Sequence, residues 1–201
     1  PLDTHATIEF GATLARSDGQ DLVVVSVVPA PWPTPTSGGV DKEYAAWAAS
    51  QGAVASDRAQ AFIDEHCTGV PARATWVRGR SAPSALRREA ARTGAELIVL
   101  GSSRHMGRVA LGSTADALLH SSPIPVAVGT HGYVTPESGV ISRATVAFRG
   151  DAPSHRALRR TAEVCLRAGA ALRVVTFAVT TQGMFTAGVG RSERLIADQW
   201  I

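Results

Sequence analysis

The stretch from Glu96 to Gly129, ELIVLGSSRHMGRVALGSTADALLHSSPIPVAVG, decides the fold. Glu96-Leu97-Ile98-Val99-Leu100 is a short, mostly apolar run, the pattern of a parallel strand covered on both faces. Gly101-Ser102-Ser103 follows, and a loop of small and basic residues continues to Gly112. Ser113 to Leu119 then reads as a short helix. Pro123-Ile124-Pro125-Val126-Ala127-Val128 reads as a strand whose prolines restrict it to a sheet edge or a strand start, because proline has no amide to donate. Strand, glycine- and serine-rich loop, helix and edge strand, in that order, outline an anion or nucleotide site.

Upstream, the same alternation repeats. Ala6 to Arg16 places Ile8, Ala12 and Ala15 at helical spacing with Gly19 as a stop. Leu22 to Val28, LVVVSVV, is a β-branched run typical of a buried parallel strand, closed by Pro29. Residues 30 to 40, APWPTPTSGGV, carry three prolines and two glycines and predict a surface loop. A long alanine-rich helix is predicted from Asp41 to about Glu65, a strand from Arg73 to Val77, and a helix opened by Ser81-Ala82-Pro83 and stopped by Gly94. Strands alternating with helices predict an α/β fold with an open, twisted parallel sheet and helices on both faces.

Downstream, the sequence repeats itself. A shift of 150 residues places Gly19 on Gly169, Leu22 on Leu172, Val24 and Val25 on Val174 and Val175, Ala12 on Ala162 and His5 on His155. This predicts a duplication: a first copy at 1–129, a Gly-, Pro-, Glu- and Ser-rich linker at 130–143, and a partial second copy at 144–201. In the second copy a strand, Ala144 to Phe148, precedes the helix. The expected first-copy counterpart lies before Pro1.

Composition narrows the function classes. With 201 residues, 45% apolar and 18% charged, the chain can bury a full core. The formal charge of +3 is mild and the bases are dispersed, with Lys42 the only lysine, so no basic stripe for nucleic acid stands out. Cys67 and Cys165 lie in no CxxC or His-spaced pair, which points away from a zinc site or a disulfide framework and toward a cytoplasmic protein. The six histidines, His5, His66, His105, His120, His131 and His155, show no metal-ligand spacing, and no metal is expected. No apolar run approaches the ~18 residues of a membrane span.

In open parallel sheets ligands settle beyond the carboxyl ends of the strands, where amides at helix starts face a crevice. The loop after Leu100 holds that position. Its glycines let backbone approach a ligand, Ser113 and Thr114 offer hydroxyl and amide donors, and Arg104, His105 and Arg108 add positive charge. A structural alternative is equally open: Ser113-Thr114-Ala115-Asp116 as a capping box, with Ser113 capping the helix.

This loop resembles the nucleotide-loop signature of the universal stress proteins: Gly, two residues, Gly, nine residues, Gly, then Ser or Thr. Gly101 matches the first glycine, Gly112 the last and Ser113 the hydroxyl residue, which in nucleotide-binding members holds phosphate. Arg104 stands at the second glycine, and seven residues separate it from Gly112. The resemblance implies a five-stranded Rossmann-like α/β fold, adenine-nucleotide α-hydrolase-like and duplicated here. It also implies a non-enzymatic stress-response module, pairing through the last strand, Ile124 to Val128, and in some members ATP. The implied site for ATP or another adenine nucleotide comprises Val27, Leu100, Gly101, Ser102, Arg104, Gly112, Ser113 and Thr114. The acidic residue that such sites place after the first strand has no first-copy counterpart here; in the second copy Arg149 stands there, with Asp151 two positions on. Two alternatives stay open: a nucleotide-free dimerisation module of the same fold, and an ATP-hydrolysing enzyme using Ser37-Gly38-Gly39-Val40-Asp41-Lys42. In that last segment the structural role of Asp41 is a helix cap. Gly107 to Thr114 approaches a P-loop but has Ser113 where the lysine belongs.

Overall fold

The computed structural model describes residues 4–31, 40–105 and 108–176, and the chain divides into two compact units, 1–141 and 142–201. The first unit begins with helix α1 (Thr4–Asp18), strand β1 (Leu22–Pro29), helix α2 (Val40–His66) and strand β2 (Ala72–Gly79). Helix α3 (Ala82–Thr93), strand β3 (Ile98–Gly101), short strands β4 (Ser103–His105) and β5 (Arg108–Ala110), helix α4 (Ser113–Ser121) and strand β6 (Val126–Gly129) follow. The Ser37–Gly39 part of the alternative phosphate loop lies outside the described residues, and α2 already begins at Val40, so Asp41 stands within the helix and not ahead of it.

Local chemistry explains the boundaries. Ser81, extended at φ −142° and ψ 144°, caps α3 by accepting the Ser84 amide at 3.4 Å; Pro83 sits in the first turn, where a missing N–H is harmless. Gly94 ends the helix at φ 66°, a left-handed conformation that glycine adopts without a Cβ penalty.

The sheet is parallel but not continuous. β1 pairs with β2 from Leu22 opposite Ala72 to Pro29 opposite Gly79, and β3 pairs with β6 from Ile98 opposite Val126 to Gly101 opposite Gly129. Among the described residues no ladder joins β1 to β3. The described residues of the first unit thus form two parallel pairs, β1–β2 and β3–β6, and the antiparallel pair β4–β5. Helices bridge the break: α1 touches β1, β3 and β6, and α3 touches both β1 and β2 while sharing a core with β3.

Two apolar clusters form. Ile8 and Ala12 of α1 meet Ala59 and Ile63 of α2 and Cys67 over Leu22, Val24, Ala72 and Ala74, the alternate residues that one strand face presents. Burial pushes the Cys67 thiol up from its ordinary value, so it stays protonated and inert. On β3 and β6, Ala90 of α3 and Leu118 of α4 close over Ile98, Leu100 and Val126.

Residues 130–141, whose composition suggests a linker, belong to the first unit and are fastened to α1. Arg16 donates to the carbonyls of Gly139 and Thr68, and the Ile141 amide donates to Ser17 Oγ at 2.9 Å. Ser17 Oγ in turn donates to the Thr13 carbonyl at 2.6 Å, so this buried hydroxyl is satisfied on both sides. The Tyr133 ring stands edge-on to Phe10 at 5.1 Å.

The second unit contains strand β7 (Arg143–Ala147), helix α5 (Ala152–Ala168) and strand β8 (Ala171–Val175), with β7 parallel to β8. Its helix ends as α1 does: Gly19 and Gly169 both have φ 65°. The Gln20 amide bonds Ala15 O at 2.9 Å, and the Ala170 amide, 150 residues on, bonds Cys165 O at 2.8 Å. Among the described residues no helix is long and apolar enough to cross a membrane.

Candidate nucleotide site

The carboxyl end of β3 delivers the chain into the loop. Gly101 closes the ladder against Gly129, where a Cβ would stand 2.9 Å from the Phe10 ring of α1; only a glycine lets the helix lie this close. The loop is more ordered than its composition suggests. β4 and β5 form an antiparallel hairpin with Ser103 opposite Ala110, Arg104 opposite Val109 and His105 opposite Arg108. No turn-forming dipeptide within 103–105 or 108–110 announces it, so an irregular loop was the expected form.

The candidate residues separate into groups. Leu100 packs its side chain into the Ala90, Ile98 and Leu118 cluster, which leaves only its backbone for a ligand. Ser102 is 1% exposed; its amide donates to Gly129 O at 2.9 Å and its hydroxyl accepts the His131 amide at 3.0 Å. It clasps the end of β3 to the chain leaving β6. Sequence spacing gave no sign of His131 as its partner, because the bond spans 29 residues. Arg104 contributes backbone to the hairpin. Val27 lies on β1, in the other strand pair, beside Gly79, and no described hydrogen bond joins it to the loop.

Gly112, Ser113 and Thr114 form the start of α4. Here the capping-box expectation is corrected. Gly112 is the N-cap, at φ −68° and ψ 158°, with no side-chain capping bond, and Ser113 is already the first helical residue. Because the extended cap conformation falls on glycine, the Ser113 hydroxyl stands one residue too late to serve as cap. Asp116 does not reach back; its amide donates to Gly112 O at 3.0 Å, and its carbonyl accepts His120 Nδ1 at 2.8 Å. Among the described residues the first amides of α4 have no side-chain cap from Gly112, and nothing lies within 4 Å of where a Gly112 Cβ would be. Such a helix start, positive in its partial charge, is suited to an anion.

In the second unit, Asp151 is committed elsewhere. It caps α5, accepting the Ser154 amide at 2.9 Å, and pairs with Arg149. The Ser154 amide foremost, with the Arg149 guanidinium and the Ser154 side chain, holds its carboxyl down at about 2 from an ordinary 3.8. A carboxylate with a depressed pKa contributes stability above its unfolded value and loses it as pH falls toward the folded one. The cap is therefore expected to weaken between pH 3.8 and about 2. Asp151→Asn, which keeps a capping oxygen without the charge, should flatten the loss of α5 helicity over that interval in acid titrations followed by circular dichroism. An unchanged titration would mean that other carboxylates govern it.

Parallel strands, helices on both faces and a glycine-bounded loop at a strand's carboxyl end define a Rossmann-like α/β protein. The Universal stress protein family matches residues 2–129. Universal stress proteins of Mycobacterium bovis and Mycobacterium tuberculosis are 31% identical to it over 198 residues, which cover 97% of this chain and 68% of theirs. A universal stress protein of Archaeoglobus fulgidus, of known crystal structure, shares the fold at 18% identity, with a TM-score of 0.55 over 96% of this chain and 69% of that one. The chain belongs to the universal stress protein family.

Proposed function

We propose that this protein is a cytoplasmic, non-enzymatic regulatory module of tandem universal-stress-protein repeats that holds ATP or another adenine nucleotide at Gly101–Thr114. The observation that carries the proposal is the start of α4: Gly112 supplies the cap backbone without a side-chain capping bond, no bond from another described side chain to the first amides is seen, and Ser113 and Thr114 stand beside them. Phosphate oxygens match these donors. The described candidate residues supply no base hydrogen-bonded to a nucleophile, which favours binding over turnover.

The purified protein, heat-denatured, should release an adenine nucleotide detectable by chromatography, and the emptied protein should bind ATP on titration. Ser113→Ala is expected to weaken ATP binding by about tenfold, the worth of one hydrogen bond to a charged group. Since its hydroxyl makes no capping bond, Tm should stay unmoved. Unchanged affinity with a lowered Tm would reverse the assignment, and no binding at millimolar ATP would remove it.

One observation favours a second reading. β6 has a ladder to β3 only, so its other edge is open among the described residues. An open edge of small apolar residues suits pairing with a second copy through Ile124 to Val128, with or without nucleotide. A dimer in analytical ultracentrifugation that dissociates on Val128→Pro, whose amide faces away from β3, would support it, provided circular dichroism shows the monomer folded.

A further inference from the structure

Among the described residues β2 bonds β1 alone, so its outer edge is open. In a parallel ladder each residue turns its N–H and C=O to the same side, and successive residues alternate. The Leu22 amide bonds Pro71 O and the Ala30 amide bonds Gly79 O, so the odd-numbered residues of β2 face β1. Ala72, Ala74, Trp76 and Arg78 then turn their backbone groups outward. Two of these groups are held by side chains from the flanking helices. Gln60 of α2 accepts the Ala74 amide at 2.7 Å, and Arg88 of α3 donates to the Arg78 carbonyl at 2.6 Å. Between those two bonds no described residue meets the amide or the carbonyl of Trp76. An edge bonded in this way can exchange its side-chain bonds for a ladder with an added strand.

Charge decides what kind of strand. Arg73, Arg78, Arg80, Arg88 and Arg92 are all exposed, and from Arg73 to Arg92 the sequence holds a single acid, Glu89. Glu89 is buried and paired with Arg92 at 2.6 Å. The Arg92 hydrogen bond foremost, with the charges of Arg92, Arg73 and Arg88, holds its carboxyl below the ordinary value against the opposing effect of burial. Three guanidiniums thus share one carboxylate. Ala72 and Ala74 pack toward α1 and α2, so alternation along the strand puts Arg73 on the α3 side, where Arg88 also reaches the edge. The α2 side carries both signs: Arg78 stands 5.5 Å from the Trp76 ring centre and donates to Ala45 O, while Gln60 donates to Asp64 at 2.8 Å. Arginines along an edge deter pairing between two copies of the same strand, since like charges would meet; an acidic strand reverses that sign.

We propose that the outer edge of β2 is a docking site for an extended acidic segment of a partner protein, which adds as a strand beside Ala74–Arg78 and turns alternate carboxylates toward Arg73 and Arg88. Side chains of a strand point to its two faces in turn, so acids at period two meet the cationic side and the residues between them meet α2. As the Arg78 carbonyl takes a backbone amide of the incoming strand, Arg88 is released to pair with a carboxylate. The inference is independent of whether the Gly101–Thr114 loop holds nucleotide.

The probe is an end-blocked peptide of alternating glutamate and threonine, titrated to millimolar concentration into the full chain while amide hydrogen exchange is followed by NMR. Exchange at Trp76 and Arg78 should slow at least about tenfold, while Arg73 and Thr75, already bonded to β1, change less. The same peptide with lysine in place of glutamate should bind at least about tenfold more weakly. So should the acidic peptide to the double variant Arg73→Gln/Arg88→Gln, whose amide spectrum checks that it is folded. No binding at millimolar peptide overturns the proposal, as does equal binding of the lysine peptide or of the double variant. Binding that leaves exchange at Trp76 and Arg78 unchanged overturns the strand addition. Oligothymidylate binding the same arginines more tightly than the acidic peptide overturns the choice of partner in favour of a nucleic acid.

Discussion

Replacing Leu118 with alanine is expected to lower the stability of the first unit by about 2–5 kcal/mol, the range for deleting a fully buried leucine side chain. Leu118 has no exposed surface, and with Ala90 and Ile98 it forms the cluster over β3 and β6. Its neighbours Ala90 and Ala95 are too small to swing into the void, so the cavity term should be retained. Denaturant unfolding should show a lower midpoint with an unchanged slope, since the surface exposed on unfolding is nearly the same. Leu118→Met, close in volume, should cost less than about 1.5 kcal/mol. Because α4 is docked by this residue, the alanine variant should also weaken the ATP binding proposed above, at temperatures where the wild type is fully folded. A loss under about 1 kcal/mol would show that the cluster collapses on substitution.

Gly79→Ala is expected to destabilise the same unit by about 1–3 kcal/mol through overpacking. Gly79 ends β2 where α3 begins, and a Cβ there would lie 2.5 Å from the Ala85 Cβ and 3.1 Å from Ser81 O. Neither is the end of a flexible side chain, so β2 and the first turn of α3 would have to separate. Ala85 is fully buried, which closes the remaining way out. A double-mutant cycle isolates the clash. Ala85→Gly alone should cost about 1 kcal/mol for a glycine in a helix, but combined with Gly79→Ala it removes the atom being struck, so the pair should be less destabilising than the sum. Additivity would show that the strain comes from Ser81 O instead.

Much of this architecture was legible in the sequence because it is written in local terms. Ser81, Pro83 and Gly94 mark both ends of α3, and the run from Leu22 to Val28 marks β1 almost to the residue. The hairpin at 103–110 was not legible, because none of its described residues carries a turn signal. Ser113-Thr114-Ala115-Asp116 has the residues of a capping box, yet the cap is decided by backbone angles, and those fall on Gly112. Ser102 and Ser17 were opaque for another reason. Their partners, His131 and Ile141, are distant in sequence, and a serine that clasps two segments looks no different from one that awaits a ligand. Leu100 could be placed beside the loop, but whether its side chain or its backbone faced the ligand depended on the register of β3 against α3 and α4.

The fastening of residues 130–141 to α1 sets a mechanical route. The covalent link to the second unit leaves from Ile141, whose amide is anchored on Ser17, and Arg16 grips Gly139 just before it. The segment that follows β6 is therefore held to the last turn of α1, which Arg16 also ties to Thr68. The clamp works as a strain relief: a pull on the chain at residue 141 meets these bonds before it reaches the edge strand and the loop beside it.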